Sequence, residues 1–192
     1  MCASDEELWA RSAQGRTDAF GTLFDRHADA VYRYSFRRTG SWSDAEELTS
    51  ITFLEAWRAR GKAHLQNGSL LPWLLGVATN VDRNRRRAAR RYTGVLSRLP
   101  SPEVVPDIAD ASAARLDAEV TAKAVLTELN RLPERDRDVA ILCLGQGLTY
   151  AEAAAALGIP IGTVRSRLAR ARSRLSSTAQ HAMDASPRED LS

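Results

Sequence analysis

Residues 148–175, LTYAEAAAALGIPIGTVRSRLARARSRL, leave the backbone few choices. Thr149 followed three residues later by Glu152 is a capping box, which predicts the start of a short Ala-rich helix. Gly158 suits the left-handed residue that stops it. Pro160 then breaks the chain and Gly162-Thr163 restarts it, so a second helix can cross the first steeply. On that helix Val164, Leu168, Ala171 and Leu175 share one face and can pack inward. Thr163, Arg165, Ser166, Arg167 and Arg170 are left outward near its N-terminal half, the part of a helix-turn-helix that enters the major groove of DNA. A basic face on an ordinary helical bundle is the competing reading. The order of cap, Gly stop, Pro break and basic face favours a reader of duplex DNA.

The charge distribution points the same way. The chain carries a net charge of +3, yet residues 80–91, NVDRNRRRAARR, hold six Arg and one Asp, and residues 160–175 hold five Arg and no acid. Each block is +5, so everything else sums to −7. Two basic blocks on an acidic remainder predict two contact sites for a polyanion. Only Lys62 and Lys123 of the 27 basic residues are lysines, and guanidinium groups suit bidentate contacts with phosphate or guanine.

Apolar residues recur at helical spacing almost throughout, and no run alternates as a strand would. Ser4 with Glu7 predicts a capped first helix. Thr17 to about Arg38 predicts a second, carrying Phe20, Leu23, Phe24, His27, Val31 and Tyr34 and ending near Gly40. Ser43 with Glu46 predicts the cap of a third, whose apolar residues are Leu48, Ile51, Phe53, Leu54 and Trp57. Gly61 to Ser69 reads as a loop. Pro72 opens a fourth helix with Trp73, Leu74, Val77 and Val81, which runs into the first Arg block. Residues 93–112 bring Gly94, Pro100, Pro102 and Pro106 with little periodicity and are expected to be a flexible linker. Helical segments follow over 113–130 and 133–144. Residues 179–192 read as a disordered tail. Eleven of the twelve aromatic residues precede position 93, so the two halves differ in chemistry. The expected architecture is all-α: two helical domains, 1–92 and 113–178, the second containing the helix-turn-helix.

The segments DAEELTSITFLEAWR (44–58) and LPWLLGVATNVDRNRRRAARR (71–91) resemble the core helices of region 2 in bacterial RNA polymerase sigma factors. The segment from Leu129 to Leu175 is similar to their region 4. Two such blocks joined by a short linker resemble the extracytoplasmic-function (ECF) group, which keeps those two domains alone. The resemblance implies that the third helix docks on core RNA polymerase, with Asp44, Glu46, Glu47, Phe53 and Glu55 as contacts. Where the family often has a Gln-acid pair, this chain has Ser50 and Ile51. It further implies that Asn80, Arg83, Asn84, Arg85, Arg86 and Arg87 meet the minus-10 promoter element during melting, with the loop from Ala63 to Ser69 near the extruded base. Thr163, Arg165, Ser166, Arg167 and Arg170 then meet the minus-35 element. Promoter DNA, core polymerase and an anti-sigma factor are the partners so implied. A stand-alone helix-turn-helix regulator is the alternative.

Other classes find little support. No apolar run approaches the roughly 18 residues of a membrane helix, and the acidic start MCASDEELWA is unlike a signal peptide, so a cytoplasmic protein without stable membrane insertion is expected. Cys2 and Cys143 match no metal spacing, and His27, His64 and His181 are scattered. There is no Gly-rich phosphate loop, nucleophile elbow or paired-carboxylate motif. No cofactor, no metal and no intrinsic enzymatic activity are expected. Trp57, Trp73 and Cys143 read as packed side chains.

Overall fold

The computed structural model describes residues 3–61, 65, 67–96 and 126–184. Among them every regular element is helical: α1 (Asp5–Ala13), α2 (Thr17–Thr39), α3 (Trp42–Arg58), α4 (Leu71–Leu96), α5 (Glu134–Ala140) with a wider π-helical turn at Ile141–Gly145, α6 (Tyr150–Leu157) and α7 (Ile161–Asp184). Residues 126–130 are helical as well.

Local signals place most of the boundaries. Ser4 Oγ accepts from the Glu7 amide while Glu7 Oε2 accepts from the Ser4 amide, closing the capping box of α1. Thr149 and Glu152 do the same for α6. Gly40 ends α2 and Gly158 ends α6, both left-handed, at φ 69° and 63°. The third helix corrects its expected cap: Ser41, not Ser43, is the N-cap, and its Oγ accepts from the Asp44 amide. Serines at both positions make the sequence signal ambiguous by half a turn, and the left-handed Gly40 just before Ser41 decides it. α4 continues to Leu96 and α7 to Asp184. Residues 97–125 and 185–192 lie outside the described residues, and with them most of the expected linker, much of the 113–130 segment and the rest of the expected tail.

The apolar stripe of α2, Ala19, Leu23, Val31 and Tyr34, is buried against Leu8 and Trp9 of α1, Phe53 and Ala56 of α3, and Leu74, Leu75 and Ala78 of α4. Each of the larger side chains contributes about 1.5–3 kcal/mol by leaving water. Trp9 meets Trp73 at 5.2 Å and Phe20 meets Trp57 at 5.1 Å between ring centroids, so both expected tryptophans pack among aromatics. Asp5 pins the start of α1: buried, it accepts from Arg26, from the Leu70 amide at 2.8 Å, and lies 2.7 Å from His27 Nε2.

This core does not stop at the end of the first half. Val139, Ile141, Leu142, Leu148, Ala153, Ala154, Val164 and Leu168 belong to the same buried cluster. Gly76 shows how close the approach is, because a Cβ there would lie 2.3 Å from the Ala156 carbonyl oxygen. Only glycine lets α4 and α6 touch at backbone distance.

Candidate nucleic-acid interface

In the C-terminal half, α6 and α7 form the two limbs of the helix-turn-helix. Val164, Leu168 and Ala171 are buried, which turns Arg165 and Ser166 fully outward and leaves Thr163 and Arg167 half-buried. Arg165 lies 6.0 Å from the Tyr150 ring centroid, a contact that orients the guanidinium without neutralising it. Arg170 is placed differently from the rest. Its Nε and Nη2 donate to the two oxygens of Asp136 at 3.1 and 3.0 Å, so it ties α7 to α5 and its charge is further favoured by that carboxylate.

The basic block on α4 divides in two. Asn84, Arg87, Arg90 and Arg91 are exposed and line one concavity. One turn earlier, exposed Asn80 joins Asn84, Ile51, Glu55, Ala59, Val77 and Val81 around an adjoining groove between α3 and α4. The other arginines turn to carboxylates. Arg85 reaches Asp44 of α3 at 2.9 Å, Arg86 Nε donates to Asp82 Oδ2 at 2.9 Å, and Arg83 donates twice to Asp138 Oδ2, at 2.9 and 2.6 Å. Six arginines that the sequence leaves equivalent are thus three exposed and three engaged. Of the loop assigned to the extruded base, residues 63, 64 and 66 lie outside the described residues.

Beneath the engaged arginines is a cluster that the sequence did not flag. Arg38 of α2 is fully buried; its Nε and Nη2 donate to Asp82 Oδ2 at 2.9 and 2.7 Å, and its Nη1 donates to Asp138 Oδ1 at 2.9 Å and to Tyr34 Oη at 3.0 Å. Tyr34 Oη in turn lies 2.6 Å from Thr79 Oγ1. Burial opposes a charge on Asp82, but Arg38 and Arg86 outweigh it and hold its carboxyl below the usual range. Arg137 is also buried; its Nη1 donates to Asn130, while Nε and Nη2 find no hydrogen-bond acceptor among the described residues. Burial first, and then the nearby Arg86 and Arg38, lower its proton affinity. Asp138 lies 100 residues from Arg38 and 55 from Arg83, so no local pattern could have found this cluster.

On α3, Glu46 and Glu47 are exposed, Asp44 is half-buried with Arg85, and Glu55 pairs with Arg58 at 2.6 Å. Phe53 is buried beneath Phe20 and Phe24, so it supports this face from below. Near these acids, two apolar side chains that the sequence counts with the helix cores reach the surface, Phe24 of α2, 42% exposed, and Leu54 of α3, 47% exposed. Leu54 directly follows Phe53 and so faces about 100° away from it. That phase is the one signal that could have singled it out. Ser50 is exposed and Ile51 borders the α3–α4 groove. Among the described residues no group of three or more His, Cys, Asp or Glu is placed to hold a metal, and no helix is long and apolar enough to cross a membrane.

The family models described as Sigma-70 region 2 and Sigma-70, region 4 match residues 23–92 and 122–175. The chain is 35% identical over 175 residues to the ECF RNA polymerase sigma factor SigE of Mycolicibacterium smegmatis, covering 86% of this chain but only 63% of that protein. It is 33% identical over 172 residues to the ECF RNA polymerase sigma factor SigM of Mycobacterium tuberculosis, covering 90% of this chain and 83% of that one. A solved structure of the sigma factor RpoE in complex with the anti-sigma factor NepR, from Bartonella quintana, superposes with a TM-score of 0.63 at 25% identity, covering 84% of this chain and 96% of that one.

Proposed function

Because the chain belongs to the ECF RNA polymerase sigma factors, we propose that it binds core RNA polymerase and directs promoter-specific transcription initiation. The observation that carries this reading is the presence of two separate exposed basic faces, each fixed by its own helix. On α4 these are Asn80, Asn84, Arg87, Arg90 and Arg91; on α7 they are Arg165 and Ser166, flanked by Thr163 and Arg167. The α4 face, with Arg83, Arg85 and Arg86 once they leave their carboxylates, grips the minus-10 element and its opened strand. The N-terminal part of α7 reads the minus-35 element in the major groove, Arg170 joining it from its Asp136 contact. Asp44, Glu46, Glu47 and Glu55 on α3, over Phe53, offer acids to a basic partner surface, and Phe24 and Leu54 add apolar anchors.

In this reading residues 1–92 hold the polymerase and minus-10 functions, 93–112 link, and 113–178 hold the minus-35 function. The reaction chemistry belongs to the polymerase, and the protein is a cytoplasmic initiation factor, not a catalyst. A solved relative in complex with an anti-sigma factor supports an inhibitory partner of that kind. The test is reconstitution: purified chain plus core polymerase should form a stoichiometric complex and initiate at mapped promoters that core enzyme ignores. Duplex binding without entry into that complex would instead mark a stand-alone regulator.

A further inference from the structure

Four guanidiniums and two carboxylates meet where the halves touch. Arg38, Asp82, Arg83 and Arg86 come from α2 and α4, whereas Arg137 and Asp138 come from α5. We propose that Asp138 is the bolt of an electrostatic latch that holds the closed form, and that the phosphates of DNA open it by competing with Asp138 for Arg83. The proposal rests on the assignment of the α4 arginines to DNA.

The geometry makes the competition direct. Arg83 gives both Nε and Nη2 to Asp138 Oδ2, so in the closed form those two donors are not available to a phosphate. Asp138 also completes the shell of buried Arg38, whose Nη1 it accepts at 2.9 Å. A second contact crosses the same junction, from Arg37 Nη1 to the Gly145 carbonyl at the end of the π-helical turn.

The latch is also built to release. Closing it brings Arg137 beside Arg86 and Arg38 with two of its nitrogens unpartnered among the described residues, which sets a like-charge and desolvation cost against the Asp138 pairs. Asp138 and Arg137, adjacent on α5, therefore push the equilibrium in opposite directions. A polyanion that takes Arg83 leaves Asp138 with Arg38 alone, and the excess positive charge of the junction then favours opening toward the phosphates.

The experiment uses the full chain with donor and acceptor dyes on exposed Ser50 of α3 and Ser173 of α7, each changed to cysteine in a Cys2→Ser, Cys143→Ala background. Energy transfer reads closure, and anisotropy of a labelled 20-base-pair duplex of mixed sequence reads DNA binding at one fixed salt. Asp138→Asn should lower transfer and tighten duplex binding, about tenfold if nine-tenths of the wild-type molecules are closed. Arg137→Met, which removes the opposing charge, should raise transfer and weaken binding. Circular dichroism checks that both variants are folded, and the opposite signs exclude general unfolding as the cause. Wild-type transfer in both variants overturns the latch. Lower transfer in Asp138→Asn with unchanged duplex affinity overturns the competition. If Asp138→Asn opens the chain and tightens binding but Arg83→Ala in that background costs no affinity, the assignment of Arg83 to DNA has failed and the competition for it is overturned, while Asp138 still holds the closed form.

Discussion

At the scale of single residues, the decisive quantity is whether a charge meets water or a carboxylate. Arg165 and Arg170 lie five positions apart on one helix and look alike in sequence, yet Arg165 is exposed beside Tyr150 and Arg170 is held by both oxygens of Asp136. Arg165→Ala should therefore weaken binding to a cognate minus-35 duplex by roughly 1–3 kcal/mol without shifting the melting temperature. Titration against cognate and scrambled duplexes checks it, and equal losses on both would mean that the side chain contacts phosphate. Asp82 gives a pH prediction. Its carboxyl is held below the usual range of about 4, so its contribution to stability is complete above that range and is lost as pH falls through its lowered value. Asp5, likewise lowered despite its burial, acts in the same direction. Urea midpoints should stay level through neutral pH and drop below about pH 4, with a shallower drop in Asp82→Asn, whose starting stability is already reduced because buried Arg38 has lost a partner.

At the scale of elements, helix starts and stops were legible because they are written within three or four residues. Ser4 with Glu7, Thr149 with Glu152, Gly40 and Gly158 all act where the sequence puts them. Which helices touch was not legible, and Gly76 is the clearest case. Inside a helix Ala is preferred over Gly by about 1 kcal/mol, so propensity alone says that Gly76→Ala should stabilise. A Cβ at that position would sit 2.3 Å from the Ala156 carbonyl oxygen, a backbone atom that cannot swing aside as a side chain can. The variant should melt lower than wild type and exchange the amides of 150–157 faster. A higher melting temperature would mean that α4 and α6 do not meet in solution.

At the scale of the whole molecule, the halves differ in composition but share one buried cluster, from Leu8 in α1 to Leu168 in α7. A fragment ending near residue 111 keeps the cluster formed by α1 to α4 and the α3 face. It should stay helical and associate with core polymerase, but unfold at lower denaturant than the same helices in the full chain, because Ile141, Leu142, Ala153 and Ala154 no longer cover its apolar surface. Equal denaturant midpoints would show that the contact between halves adds nothing to stability. Loss of polymerase association in a well-folded fragment would remove α3 from the docking surface.

The sequence by itself determined that the chain is helical, where most helices begin and end, and that two Arg-rich blocks lie on separate helices. Capping and periodicity are local, and charge counts need no coordinates. Only the tertiary structure decided which of those arginines face solvent, that Phe24 and Leu54 reach the surface while Phe53 does not, and that Asp138 closes on Arg38 across 100 residues. The physical reason is that periodicity tells a helix which of its sides is apolar but not which neighbour will cover it. A guanidinium changes role entirely when that neighbour carries a carboxylate.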